Sequence, residues 1–256
     1  MHTTFEDLYS YLLFSSPIDY TNDLILYPIR MEHILDFSIL KQSILVRKNS
    51  MFPVKKVIKM SYLEFLFFCH NNIDFANEYE MPLLPHYYSF AHNLLKLVFK
   101  GQEVLVNSTT GGFKINGVEL TDDQFDDIRR IIILQNGIDF DIDEFIHYDT
   151  EKELMKAQEV VQGKDKSSIE DYIDSVCVGM HLSEEEVRQL TIRKFWRYVK
   201  RISKKDIFTI MKTAESGGMV KFKEHIPYWM CELDDNTDRF KDVKTDAQSL
   251  RKMISG

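Results

Sequence analysis

Along most of this chain apolar residues recur at helical spacing, and the period shortens in only a few places. Phe5, Leu8, Leu12 and Leu13 share one face of a short amphipathic N-terminal helix. Residues 23–29 (DLILYPI) form a strand-like run closed by Pro28. Ile34, Phe37, Ile39, Leu40, Ile44 and Leu45 predict a helix over residues 31–46, followed by a polar turn at 47–50. Ser61 is a suitable N-cap for a helix from Tyr62 to about Asn71, and Pro82 and Pro85 break the chain before another over 87–97. Then the period changes. Residues 98–106 (VFKGQEVLV) and 113–120 (FKINGVEL) alternate around STTGG, which predicts a β-hairpin near 98–120, with Asn116-Gly117 fit for a further tight turn. Thr121 and Gln124 have capping-box spacing and open a helix carrying Phe125, Ile128, Ile131 and Ile132 on one side, stopped at Asn136-Gly137. Residues 151–161 read as a further helix.

Residues 163–168 (GKDKSS) are polar and carry no apolar period, so the unit boundary is placed there. The expected division is an α+β unit over 1–163 and a helical unit over 168–256. In the second, Ile169, Tyr172, Ile173 and Val176 mark one helix, and Ser183 with Glu186 caps the next. Thr191 caps a third, whose apolar face is Ile192, Phe195, Trp196, Val199 and Ile202. Asp206 is read as opening a fourth, ended by Gly217-Gly218. A short extended segment and an Ile226-Pro227-Tyr228-Trp229 knob follow, then a charged tail over 234–256 whose end is expected to fray. The predicted fold class is α+β and mostly α-helical, with one small hairpin in the N-terminal unit. Only 10 Gly and 6 Pro in 256 residues agree with helices over a many-stranded sandwich.

Composition narrows the function classes. A hydrophobic fraction of 44% with 12% aromatics is that of an ordered globule. The net charge of -8 argues against a surface given over entirely to nucleic acid. No window reaches the roughly 18 uncharged apolar residues of a membrane span, and the first residues lack a signal peptide's basic start and cleavage site. Cys69, Cys177 and Cys231 form no C-x-x-C pair and fit a reducing cytoplasm.

Catalytic and metal signatures fail when tested. Residues 139–144 (DFDIDE) resemble the start of a calcium loop, but Glu144 stands where the sharp turn needs Gly, and Thr150 where a bidentate Glu is needed. A solvated acidic turn is the better reading. The same count from Asp234 fails at Arg239. His86 and His92 are too far apart for a zinc pair, and the adjacent Cys69 and His70 would point about 100° apart on a helix. Nucleophile elbows, P-loops and dinucleotide fingerprints are missing from the sequence. No enzyme, cofactor or metal is therefore expected.

The remaining feature is basic. Residues 188–212 hold nine cations against one acid, Asp206, in an otherwise acidic chain. Three readings fit: a solvated face above an apolar underside, docking to acidic protein including this chain's own segments, or phosphate contacts of nucleic acid. The spacing of Phe195, Val199 and Ile202 assigns much of the aromatic content to packing. The residues expected to meet a partner are Arg193, Arg197, Lys200, Arg201 and Lys204, with Phe222, Tyr228 and Trp229 as aromatic anchors. Eleven methionines suit adaptable contact surfaces as well as ordinary cores.

Three stretches carry a family resemblance. The first is Leu26-Tyr27-Pro28-Ile29-x-Met31, then a helix and Met60-Ser61-Tyr62-Leu63-x-Phe65. The second is residues 125–145, where Gln135-Asn136-Gly137-Ile138-Asp139 precedes the acidic turn. The third runs from Leu190-Thr191-Ile192-Arg193-Lys194-Phe195 through Ala214-Glu215-x-Gly217-Gly218 to Phe222-Lys223 and Ile226-Pro227-Tyr228-Trp229. In this order they resemble the tail assembly chaperones of long-tailed bacteriophages of Gram-positive hosts. The resemblance implies a scaffolding factor in the host cytoplasm that binds the tape measure protein, recruits tail tube subunits, self-associates and leaves before the tail matures. It also implies a short form ending near Gly163 and an extended, frameshifted form. Alternatives are a nucleic-acid-binding regulator using the basic helix, and a permanent virion structural or adaptor protein.

Overall fold

The computed structural model describes residues 3–21, 24–144, 150, 153, 167–218, 220–222 and 225–233. The fold is mostly α-helical with two small antiparallel sheets. Helix α1 (Phe5–Phe14) starts at a capping box, where Thr4 accepts from the Asp7 N–H and the Asp7 carboxylate accepts from the Thr4 N–H. That bonding holds the exposed Asp7 carboxyl below its usual range. Strands β1 (Ile18–Thr21) and β2 (Leu24–Leu26) pair antiparallel. The run over 23–29 predicts β2; β1, only four residues long, carries no alternation strong enough to announce it.

The helix predicted over 31–46 is broken into a 3-10 turn (Met31–His33), α2 (Ile34–Leu40) and a second 3-10 turn (Lys41–Ile44). Ser43 is buried, and its hydroxyl donates to the Leu40 carbonyl 2.7 Å away, competing with the regular ladder. Short helices α3 (Lys48–Met51) and α4 (Lys55–Lys59) lead to α5 (Tyr62–Asn71), capped by Ser61 with Glu64 as its spacing predicts. Then come α6 (Ile73–Glu78) and α7 (Tyr87–Val98).

The hairpin region is a three-stranded meander, β3 (Val104–Val106), β4 (Phe113–Ile115) and β5 (Val118–Glu119). Asn116 (φ 49) and Gly117 (φ 82) make the tight β4–β5 turn, where two successive positive φ values favour Asn-Gly. Val98 and Phe99 belong to the end of α7 rather than to a strand, and both are fully buried. Helix α8 (Asp122–Gln135) has the predicted Thr121–Gln124 capping box and ends before Gly137 (φ 65).

Beyond residue 167 the chain forms α9 (Ile169–Met180), α10 (Glu184–Gln189) and α11 (Ile192–Ser216). The break predicted at Asp206 is a misreading, because α11 runs unbroken for 25 residues. Asp206 is bounded by Lys205 and Ile207, neither of which stops a helix, and a carboxylate alone does not create a terminus. Gly217 and Gly218 (φ 70) end α11 as expected. The strand-like run expected at 219–222 has no strand among its described residues. Of the helix read over 151–161 only Glu153 is described, and it is helical; most of the boundary at 163–168 and the tail from 234 lie outside the described residues.

One core spans both ends of the chain. Phe52, Phe65, Phe99, Phe113, Phe125 and Phe195 are its largest fully buried side chains. Val176, Val187, Ile192 and Phe195 join the cluster built by residues 8–140. An isolated antiparallel bridge pairs Arg30 with Thr191: the Met31 N–H donates to the Leu190 carbonyl at 2.8 Å, and the Ile192 N–H to Ile29 at 2.9 Å. Phe195, at four residues from Thr191, is thereby set into the body while the rest of α11 runs outward.

Candidate protein-interaction surface

Two guanidinium-centred arrangements stand out, and only one faces outward. The inward one lies under α8. Arg129 is buried; its Nε donates to the Ile44 carbonyl at 2.7 Å and its Nη2 to Val46 at 3.2 Å. Its guanidinium carbon lies 3.6 Å from the centroid of the Tyr62 ring. The Tyr62 hydroxyl donates to the Ser43 carbonyl and accepts from the Val46 N–H, so the ring beside this arginine is itself tied down. Burial lowers the Arg129 pKa and pushes the Tyr62 phenol up to about 12. Neighbouring Arg47 lies over the Phe140 ring at 4.3 Å and bonds Glu144 at 3.0 Å, while Arg130 clasps both oxygens of Asp143. The acidic turn at 139–144 keeps all four of its carboxylates exposed, as its solvated reading expects, while Asp143 also pairs with Arg130 of α8 and Glu144 with Arg47. Nothing in residues 129–130 signals this, since adjacent arginines in a helix ordinarily read as surface.

The outward arrangement is α11 with the segment that folds back along it. Thr191 caps the helix, accepting from the Lys194 N–H. Arg193 is half-buried at the seam, donating to the Leu12 carbonyl at 3.1 Å, with its stem packed against Gly137. Burial, then the neighbouring Arg197 charge, lowers its pKa. Trp196 meets Tyr172 of α9 edge-on, and Ile202 packs close to Gly179, where an added Cβ would lie 2.8 Å from the isoleucine. Farther along, Arg201 donates to the carbonyls of Trp229 and Cys231, and Lys204 to that of Glu232. Tyr228 packs edge-on against Phe208 at 5.4 Å, and Lys205 lies 6.0 Å from the Trp229 ring. Ile226 and Leu233 are buried at the two ends of this strap.

Of the residues expected to meet a partner, Arg201, Lys204, Tyr228 and Trp229 come together in one place. Arg193 is set apart at the seam, Arg197 and Lys200 each have a partner of their own, and Phe222 lies half-buried before the strap. The sequence did not announce that the cations would grip this chain's own carbonyls, because a carbonyl acceptor leaves no mark in residue type. Tyr228 stays 52% exposed despite its ring contact, and Ile207 and Ile210 on α11 are 55% and 69% exposed.

Among the described residues no three of His, Cys, Asp and Glu gather as a metal site, and no helix is long and apolar enough to cross a membrane. Residues 161–234 match the family model of the YomV second domain, a phage-associated family. No curated protein and no solved structure matches the chain. The matched stretch contains α9, α10, α11 and the strap.

Proposed function

We propose that this chain is a non-enzymatic bacteriophage assembly factor, a tail assembly chaperone that binds the tape measure protein and recruits tail tube subunits in the host cytoplasm. The observation that carries this reading is the outward half of α11. It combines exposed isoleucines, a strap rich in aromatic side chains and a run of cations, within a stretch similar to a phage-associated domain. Large apolar groups left at the surface beside charge are the ordinary composition of a protein-docking site. Nucleic acid is the weaker reading. Arg193, Arg201 and Lys204 spend their donors on this chain's carbonyls, and phosphate recognition needs those same donors.

In this proposal the C-terminal helices recruit tube subunits, and residues 1–163 supply the scaffold that binds the tape measure. Because Ile192 and Phe195 share the core of the N-terminal unit, removing everything after 168 would strip that core. The roles are therefore tested on the intact chain. Tagged protein is recovered from phage-producing cells, with and without Tyr228→Ala plus Ile210→Asp. The expected outcome is recovery of tape measure and tube proteins, with tube protein alone lost in the variant. Recovery of DNA or RNA in their place, or retention of the protein in finished virions, would overturn the reading.

A further inference from the structure

Helix α11 outruns the helix it packs against. Tyr172 meets Trp196, and seven residues later Gly179 meets Ile202, so α9 and α11 run parallel. Helix α9 ends at Met180, whereas α11 continues from 203 to 216. That overhang is about 21 Å long at 1.5 Å per residue. On it, Ser203, Ile207, Ile210 and Ala214 follow one another at steps of four, three and four and share one face. Ile207 and Ile210 are 55% and 69% exposed. Phe208, against which Tyr228 of the strap packs, points about 100° away from Ile207 and about 160° from Ile210, so the strap lies on another side of the helix.

The row reads the same in both directions: a small residue, two isoleucines, a small residue, at equal steps from the middle. Laid antiparallel against itself, it sets Ser203 against Ala214 and Ile207 against Ile210, twice over. A twofold contact between identical surfaces requires such self-complementarity, and a contact with an unrelated chain does not. The small end residues let two helices approach, and the isoleucines fill the space between. Charge does not oppose the pairing. Asp206 and Thr213 border the row on one side, Lys204 and Met211 on the other. In the antiparallel arrangement Asp206 faces Thr213 of the second copy and Lys204 faces its Met211, so no like charges are opposed. The Lys204 ammonium is turned to the Glu232 carbonyl of the strap, and Arg201 to those of Trp229 and Cys231. Length agrees as well. The midpoint between Ile207 and Ile210 lies close to the middle of the overhang, so an antiparallel copy ends about where α9 takes over at Ile202.

We propose that a second copy of this chain covers the row, with residues 203–214 of the two α11 helices packed antiparallel about a twofold axis between Ile207 and Ile210. Two isoleucines per copy bury well under the roughly 1,200 Å² of a standard stable interface, so the pair is weak and forms with rising concentration. The two straps then lie away from the axis, one on each outer side, and Tyr228 of each copy stays accessible. This goes beyond the assembly role, which a single copy also satisfies.

The test uses the purified full chain in two ways. Sedimentation equilibrium over a range of concentrations is expected to show a monomer–dimer equilibrium, about tenfold or more weaker in Ile207→Asp plus Ile210→Asp and unchanged in Tyr228→Ala. Register is read by disulfide trapping in a background of Cys177→Ser plus Cys231→Ser; Cys69 is fully buried and stays. A mixture of chains carrying Ser203→Cys and Ala214→Cys should cross-link to each other. Chains carrying Ser203→Cys alone should not, because an antiparallel pair holds the two 203 positions about 16 Å apart along the axis, beyond disulfide reach. These cysteines leave both isoleucines in place, so trapping stands even if the aspartates disturb folding. A monomer at every concentration overturns the proposal. So does a dimer that survives the aspartates, one lost equally in Tyr228→Ala, or Ser203→Cys chains that cross-link to themselves as readily as the mixture does. None of these outcomes depends on which phage proteins are recovered from cells, so this inference and the assembly role can fail separately.

Discussion

Arg129 and Arg201 make the same bonds for different ends. Each donates to two backbone carbonyls, Arg129 to Ile44 and Val46, Arg201 to Trp229 and Cys231. Arg129 is buried beside the rings of Tyr62 and Phe140, where solvent has little access. Arg201 is only half-buried, so solvent can take over either partner. A hydrogen bond's net worth is set by what happens when it is lost. The first arginine therefore fixes the fold, and the second fixes the position of a segment that the fold survives without.

That contrast is sharpest in stability. Arg129→Ala is expected to cost about 4–8 kcal/mol, since two buried carbonyls lose partners at about 1–3 kcal/mol each and the Tyr62 contact about 2 more. Urea unfolding measures it; a loss no larger than that of Arg201→Ala would erase the distinction. Within α11 itself, Phe195→Ala should cost about 3–5 kcal/mol because the ring is fully buried. Ile210→Ala, on the overhang, should stay within about 0.5 kcal/mol. Equal losses at 195 and 210 would mean that the overhang is part of the core. Arg201→Ala should change stability by about 1 kcal/mol or less, yet free the strap. Chymotrypsin should then cut faster after Tyr228 and Trp229, and an unaltered cleavage rate would show that the carbonyl bonds do not hold the strap.

The smallest effect concerns acid. His92 is half-buried, bonds the Val104 carbonyl at 3.1 Å and stacks on Phe113, and burial lowers its pKa from 6.5. The folded value lies below the unfolded one, so its contribution to stability is fully present above about 6.5 and falls away as pH drops through the folded value. His92→Gln should flatten that acid limb. An unchanged slope would place the acid-sensitive group elsewhere.

Local signals were the legible part. Ser61 with Glu64, Thr121 with Gln124 and Ser183 with Glu186 each cap a helix where their spacing says, because a capping box is complete within four residues. Asn116-Gly117 likewise names its own turn. The helix over 31–46 was readable as apolar but not as broken, since its second 3-10 turn follows from the burial of Ser43 beneath Tyr62. Of the interaction surface, the basic helix and the aromatic knob were legible as residue types. Their mutual grip was not, because Arg201 reaches Trp229 across 28 positions through main-chain oxygens that every residue shares. Nor does residue type alone distinguish Phe195, locked in the core, from Ile210, left outside; Phe195 lies about one turn from the Arg30–Thr191 bridge that seats it in the body, and Ile210 about four turns farther on.

The pairing of Arg30 with Thr191 has a consequence in time. Ser15 Oγ meets Thr191 Oγ1 across 176 positions, and the Leu12 carbonyl meets Arg193 across 181. At a synthesis rate of roughly 5–20 residues per second, about 10–35 s pass between the ribosome's making the first half of these contacts and the second. For that interval the Ile29 and Leu12 carbonyls have been made while the Ile192 and Arg193 donors that they accept from have not. The nascent chain thus carries, for tens of seconds, an open socket that its own later helix closes.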